Sequence, residues 1–420
     1  MIRFYNGRVL ENGAVTDHEV WVKGTDIAYV GPGREDAPDF DRQVDLRGDL
    51  LMPGFKNAHT HSAMSFLRSM ADDLPLQEWL FQQIFPREAK LNPKRVADFT
   101  KVAFLEYIAN GITSCFDMYF HTDEFARVAT EWGFRAVICE SLTAGNDWDD
   151  IYRNYERYNN WSDMVSYIPG FHGEYTGSVD MMKHIAKAAE ELKAPVYSHN
   201  SETASEVEGC MERHGVTPTK LMDELGVFQY GGGGFHCAHM TDEDIAIFRN
   251  RGLYAVLNAC SNAKLASGIA PLKRYMEAGV NLAVGTDGPA SNNALDFFRE
   301  MYLINVLAKL REEDAAAGDP ALVLEAAVSG GARAMGLHEA DGIAPGKLAD
   351  MIVIDMLRPN MQPVHNVVKN LIYSGNPSNV KMTMIGGKVL YENGVFHVGE
   401  DIEKVYAEAQ KETELLLSEC

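Results

Sequence analysis

With 420 residues the chain has room for about three domains of roughly 150 residues, or for one α/β barrel of roughly 250 with smaller additions. Hydrophobic residues at 46% and charged residues at 23% are the proportions of a globular protein, which excludes a disordered or fibrous chain. Lys and Arg number 38 against 60 Asp and Glu, a formal charge of -22 that repels polyanions, so neither nucleic acid nor an anionic membrane is an expected partner.

The first segment, MIRFYNGRVLENG, turns polar too early for a signal peptide, and no run of 18 apolar residues follows anywhere, so a cytosolic protein is expected. Residues 4–15, FYNGRVLENGAV, read as a hairpin in which an apolar run ends in an Asn-Gly turn. IGGKVLYENGVF at 385–396 repeats that pattern near the other end of the chain. Two such hairpins can pair into one small β-domain, placed at 1–55 plus 345–400, around a separate body at 56–344. The last stretch, 401–420, reads as a charged terminal helix.

Within 56–344, short β runs alternate with helical stretches. Apolar residues at Val179, Met182, Ile185, Ala186, Ala189 and Leu192 fit one face of a helix over 179–192, with Ser178 as its N-cap. A strand follows at 195–199. The unit repeats as helix 217–224, strand 234–239, helix 241–250 capped by Thr241, strand 253–258, helix 271–278 and strand 280–286. Such alternation builds a parallel sheet with helices outside it, and its length favours an eight-stranded (β/α)8 TIM-type barrel. The run Gly231–Gly234 is not followed by Gly-Lys-Ser/Thr, so it reads as a flexible loop before a strand and not as a phosphate cradle.

Barrel enzymes carry their working residues at the C-terminal ends of the strands, and four expected strand ends hold ligand-type side chains. His59 and His61, two apart, share one face of an extended segment. His199 closes PVYSH, His236 and His239 stand in GFHCAH, and Asp287 follows the apolar run of LAVGTDGPASNN. Three imidazoles and a carboxylate suit zinc or ferrous iron with one position left for water. Asp287 could instead cap the following helix. His18, His184, His214, His338, His365 and His397 read as ordinary surface or hydrogen-bonded histidines. The six cysteines, Cys115, Cys139, Cys210, Cys237, Cys260 and Cys420, show no metal-binding spacing and read as reduced, mostly buried thiols.

Taken together, MPGFKNAHTH, SHNSE, FHCAH, SNAKLASGIAP, VGTDGPASNN and GIAPGKLADMIVID resemble the amidohydrolase superfamily. Within it they are similar to the branch holding methylthioadenosine/S-adenosylhomocysteine deaminases, guanine deaminases and triazine chlorohydrolases. The resemblance implies a barrel flanked by a composite β-sandwich and a single divalent metal, zinc or iron, held by His59, His61, His199 and Asp287. It makes His236 similar to a histidine that polarises the attacking water, and Glu202 to a glutamate that moves protons at the ring. No lysine stands out as the carboxylated bridge of binuclear members. Trp79, His172, Glu140 and Asn292 are the candidates for substrate contact.

These roles describe a metal-dependent hydrolytic deaminase of an aminated purine, nucleoside or related heterocycle. Hydrolysis of a triazine or other ring leaving group is the second reading, and a non-catalytic scaffold the third. Glu206 and Glu208 follow Glu202 closely, so a solvated acidic face is its bland alternative. A small-molecule substrate and a homo-oligomeric state are expected. Two departures from the family's phrases, His172-Gly173-Glu174 and Val256-Leu257-Asn258-Ala259, together with acidic Glu140, Asp147, Asp149 and Asp150, suggest a pocket that rejects a carboxylate-bearing substrate.

Overall fold

The computed structural model describes residues 1–70, 72–74 and 78–419. Eight parallel strands form its centre: β1 (Phe55–Thr60), β2 (Ile112–Tyr119), β3 (Arg135–Glu140), β4 (Gly170–Gly173), β5 (Val196–Asn200), β6 (Gly232–His236), β7 (Tyr254–Leu257) and β8 (Asn281–Val284). They pair as two ribbons, β1–β3 extended by a short strand at Val165–Tyr167, and β4–β8. Hydrogen bonds close both seams. Asp287 N–H donates to His59 O at 3.0 Å beside β1, and His172 N–H donates to Leu142 O at 2.9 Å beside β3. The ring is the expected barrel.

The helices between strands begin where side chains can cap them. Ser178 accepts from Met181 N–H at the start of Val179–Leu192, and Thr241 forms a full capping box with Asp244 before Asp242–Arg251. The glycine run departs from the expected loop: Gly232–Gly234 are the buried first residues of β6 itself. A Cβ at Gly232 would stand 1.9 Å from Val196 O, and one at Gly233 would stand 2.2 Å from Tyr254 O. The neighbouring backbones press on this strand, so it is glycine for want of space, a cause that residue-type statistics do not carry.

Both expected hairpins join one seven-stranded sheet, at opposite edges. Arg8–Glu11 and Ala14–Thr16 turn through Asn12 and Gly13, and Lys388–Glu392 and Val395–Phe396 turn through Asn393 and Gly394. All four turn residues have positive φ (48°, 76°, 48° and 87°), the conformation that Asn-Gly adopts most readily. Leu50–Pro53 and Met351–Ile354 pair antiparallel at the middle of this sheet. A second, four-stranded sheet of Ile2–Tyr5, Glu19–Lys23, Asp26–Gly31 and Arg42–Asp45 packs over it through Phe4, Val20, Ile27, Leu51, Met351 and Met384.

A buried ion cluster lies at the N-terminal end of the barrel. Asp350 accepts from Arg135 Nε at 2.6 Å and from Gly386 N–H at 2.7 Å, and Lys56 Nζ lies 3.7 Å from it while donating to Thr113 at 2.7 Å. The helix Ile402–Ser418 packs on the helix Pro93–Ala109, where Arg95 meets Glu412 and Glu419. No helix among the described residues is long and apolar enough to cross a membrane. Five cysteines are buried and unpaired, and Cys420 lies outside the described residues.

Candidate metal centre

At the C-terminal mouth of the barrel the separate strand ends converge. His59 belongs to β1 and His61 follows it, His199 belongs to β5, His236 ends β6, and Asp287 lies three residues beyond β8. Donor atoms of His59, His61 and Asp287 lie within 4.8 Å of one another, and so do those of His59, His199 and His236. Asp287 Oδ1 stands 3.4 Å from His59 Nε2 and 3.2 Å from His61 Nε2. The alternative reading of Asp287 as a helix cap therefore gives way to a carboxylate turned into the cluster.

Three of the rings are anchored from behind. The Nδ1 of His61 meets Met118 O at 2.6 Å, that of His199 meets His172 O at 2.5 Å, and that of His236 meets Asn262 Oδ1 at 2.8 Å. An acceptor at Nδ1 fixes a proton there, and at His199 and His236 this leaves the Nε2 lone pair facing inward, the tautomer that a metal ligand needs, whereas at His61 the Asp287 carboxylate outweighs burial and raises the imidazole to about 9. Burial holds His59 down at about 3 and His199 well below the usual imidazole range, so both offer lone pairs. His59 is buried, and neither of its nitrogens has a hydrogen-bond partner. Burial alone would raise the Asp287 carboxyl, but His59 and His61 outweigh it and hold it well below the carboxylate range. Orphaned imidazole nitrogens beside an ionised carboxylate are a donor set that a divalent cation satisfies and a core does not.

Serines complete the setting. Ser261 and Ser291 each donate to Asp287 Oδ2 at 2.6 Å, leaving Oδ1 toward the histidines. Ser201, His236 and Asp287 all sit in the left-handed region, with φ of 51°, 70° and 59°, a strained conformation for non-glycine residues that the surrounding packing must enforce.

Glu202 joins the cluster, its Oε2 3.9 Å from His236 Nε2 and its Oε1 accepting from Ser267 at 3.1 Å. Only 4% exposed, it is no part of a solvated acidic face, and burial raises its carboxyl above the usual value. Glu206 is buried too. Its carboxylate accepts the backbone N–H groups of Ser201 and Glu202 at 3.0 and 2.7 Å and so fixes the turn that presents Glu202. The pattern Thr203-x-x-Glu206 is a capping-box signature that could have identified it.

The cavity above the cluster is lined by Trp79 and His172 as expected, and by Glu88, Tyr119, Tyr175 and Leu265, which sequence reasoning missed. Glu88 comes from the short helix Phe85–Glu88, and nothing in its local sequence marks it. Two expected substrate contacts lie elsewhere. Asn292 is buried behind the wall, its amide donating to Thr286 O and to Glu300, both at 2.7 Å. Glu140 faces an adjoining groove, with one carboxylate oxygen taken by Asn154 and the other by Tyr167 at 2.6 Å. Asp147 and Asp150 pair with Arg153 at the surface, and Asp149 with His184, so this acidic stretch does not line the cavity. His239 lies outside the cluster, its Nε2 donating to Ser267 O at 2.5 Å. Lys56, pointing to the opposite end of the barrel, is not a bridge at this site.

A model of the amidohydrolase family matches residues 50–390. A 5-methylthioadenosine/S-adenosylhomocysteine deaminase of Thermoanaerobacter pseudethanolicus is 35% identical over 418 residues, covering 97% of this chain and 96% of that one. An adenosine deaminase of Xanthomonas campestris, solved with bound zinc, is 34% identical and superposes with a TM-score of 0.93 over 99% of this chain and 98% of the other. An atrazine chlorohydrolase of Arthrobacter aurescens, solved with zinc, shares the fold at a TM-score of 0.90, with 20% identity over 98% of this chain and all of the other (100%).

Proposed function

The chain belongs to the amidohydrolase family, and we propose that it is a zinc-dependent deaminase releasing ammonia from an aminated purine, nucleoside or related heterocycle. One observation carries the reading: four inward-facing imidazoles, an ionised Asp287 and a buried Glu202 meet in one cavity whose wall is otherwise largely apolar. In this reading His59, His61, His199 and Asp287 hold the ion. Bound there, zinc supplies the Lewis acidity that makes water a nucleophile at neutral pH.

The chain's own residues do the rest. Asp287, its Oδ2 held by two serines, accepts the proton that the attacking water loses. His236, oriented by Asn262, holds that water against the ring carbon. Glu202, kept protonated more readily by its burial, delivers a proton to the ring nitrogen as the carbon becomes tetrahedral. As that centre collapses, Asp287 passes the water's proton to the amino group, which leaves as ammonia, and the hydroxyl proton returns to Glu202. A proton donor at this point favours an amine over a halide as leaving group, and a substrate panel decides between the deaminase and chlorohydrolase readings. A cytosolic location belongs to the same proposal, in keeping with five buried free thiols, and so does a homo-oligomeric state.

The test is ammonia release by zinc-loaded protein from a panel of aminated purines, pterins, pyrimidines and triazines. Turnover of a purine or nucleoside is expected. Chloride release from a halotriazine without ammonia release from any panel member would overturn the reading.

A further inference from the structure

His239 stands three residues after His236, outside the metal cluster, yet it joins the loops that carry the proton-transfer residues. The loop after β5 carries Glu202, the loop after β6 carries His239, and the segment after the helix Ala259–Lys264 carries Ser267. Backbone N–H groups of Ala238 and His239 donate to Ser201 O at 3.0 and 2.9 Å, which ties the second loop to the first. The His239 ring ties it to the third. Its Nε2 lies 2.5 Å from Ser267 O, and a carbonyl can only accept, so Nε2 carries the proton. Gly268 makes room for that contact: its φ is 142°, and a Cβ there would stand 2.6 Å from His239 Nε2.

The Ser267 backbone is held on both sides. Its N–H donates to Asn262 O at 2.9 Å, and its carbonyl accepts from His239. Asn262 also accepts from His236 Nδ1 at 2.8 Å, so one short segment sets both partners of the proton transfer. The buried Ser267 hydroxyl then donates to Glu202 Oε1 at 3.1 Å. In a protonated carboxyl the carbonyl oxygen is the better acceptor, so the hydroxyl proton of Glu202 falls on Oε2, the oxygen 3.9 Å from His236 Nε2.

We propose that His239 and Ser267 are positioning residues for the proton donor: His239 fixes the Ser267 backbone, and the Ser267 hydroxyl sets which oxygen of Glu202 bears the proton delivered to the ring. The proposal rests on the deaminase reading above and deepens it. The proton leaves Oε2 for the ring nitrogen while Oε1 keeps its bond to Ser267 throughout. Among the described residues that line the cavity neither His239 nor Ser267 is found, so both act through Glu202. Without them the carboxyl is free to turn its proton away from the ring.

Zinc-loaded full-length protein, assayed for ammonia release from adenosine and the rest of the panel, makes the test. Ser267→Ala and His239→Leu should each lower kcat about tenfold, the worth of one hydrogen bond, while KM and zinc content stay as in the parent. His239→Gln, whose amide offers a donor near the place of Nε2, should recover most of that loss. In the Glu202→Gln background neither Ser267→Ala nor His239→Leu should lower kcat further, because a residue that acts only through Glu202 has nothing left to position. Equal losses in the two backgrounds, no loss in the parent, loss of zinc, or a Gln variant as impaired as the Leu variant would overturn the proposal. Crystal structures of the zinc-loaded parent and of Ser267→Ala give a readout without turnover. The Glu202 carboxyl should keep one orientation in the first and lose it in the second, and the same orientation in both would also overturn the proposal. Failure of every panel compound to release ammonia would instead remove the deaminase reading, and the crystal structures would still test the hold on Glu202.

Discussion

The two ends of the barrel bury charge in opposite ways. At the N-terminal end Lys56 and Arg135 share the one carboxylate of Asp350, a closed set whose partners all lie inside the protein, across the boundary between barrel strands and the seven-stranded sheet. At the C-terminal end four imidazoles and Asp287 form an open set, with the His59 nitrogens lacking hydrogen-bond partners and the donor atoms of its neighbours gathered around a common point. A cluster whose members are one another's partners joins two parts of a molecule. An unbalanced one calls for a guest, and the comparison separates a structural site from a functional one without reference to any ligand.

The sharpest way to break the comparison is Asp287→Ala, which removes both a ligand and the acceptor of the water's proton. Turnover should vanish and zinc content, measured by elemental analysis, should fall well below one ion per chain. Full retention of zinc by this variant would show that Asp287 is not among the ligands. Glu202→Gln should leave zinc in place while lowering kcat about 100-fold to 10,000-fold, the worth of a positioned acid or base. Near-normal turnover would reduce Glu202 to a neighbour of the site.

At the other end, Asp350→Asn leaves Lys56 and Arg135 buried with no counter-charge, and denaturant unfolding should show a loss of about 3–5 kcal/mol. Zinc content per folded chain should not change, which is the contrast with Asp287→Ala. The smallest effect concerns pH. Burial, partly offset by Asp350, brings the Lys56 ammonium down to about 8, whereas an unfolded chain keeps that proton up to about 10.4. Between those values the unfolded state holds more protons, so this residue's contribution makes stability rise with pH. Lys56→Met should lack that rise when its unfolding curves at pH 7.5 and 9.5 are set beside those of the parent.

What the sequence disclosed follows the same division. The metal donors were legible because strand ends in a parallel barrel face one mouth, so knowing the strand also places His59, His199 and His236. The hairpins were legible because Asn12-Gly13 and Asn393-Gly394 need positive φ and their residues supply it. Glu88 was invisible, since a cavity wall gathers side chains from loops whose approach no local pattern encodes. Asn292 and Glu140 misled for the complementary reason: a polar residue near a strand end can turn away from the mouth, and here their hydrogen bonds to Glu300, Thr286, Tyr167 and Asn154 face elsewhere. The glycines of β6 misled because their cause is the backbone of neighbouring strands.

The pairing of Leu50–Pro53 with Met351–Ile354 also sets an order of events during synthesis. Leu51 lies between Val9 and Val353, so the strand from the early part of the chain has one neighbour at hand and waits for the other, about 300 residues later. At roughly 5–20 residues per second that is about 15–60 s in which Leu50, Leu51 and Met52, all buried at the end, can pair with Arg8–Glu11 on one side while their other edge stays open. The barrel strands emerge within that interval and can assemble as neighbours in sequence, while the sheet formed from both ends can close only after translation has passed Ile354. A nascent chain halted before that point should therefore expose one open edge of an apolar strand, and a chaperone that shields such edges would act on this protein early in its synthesis.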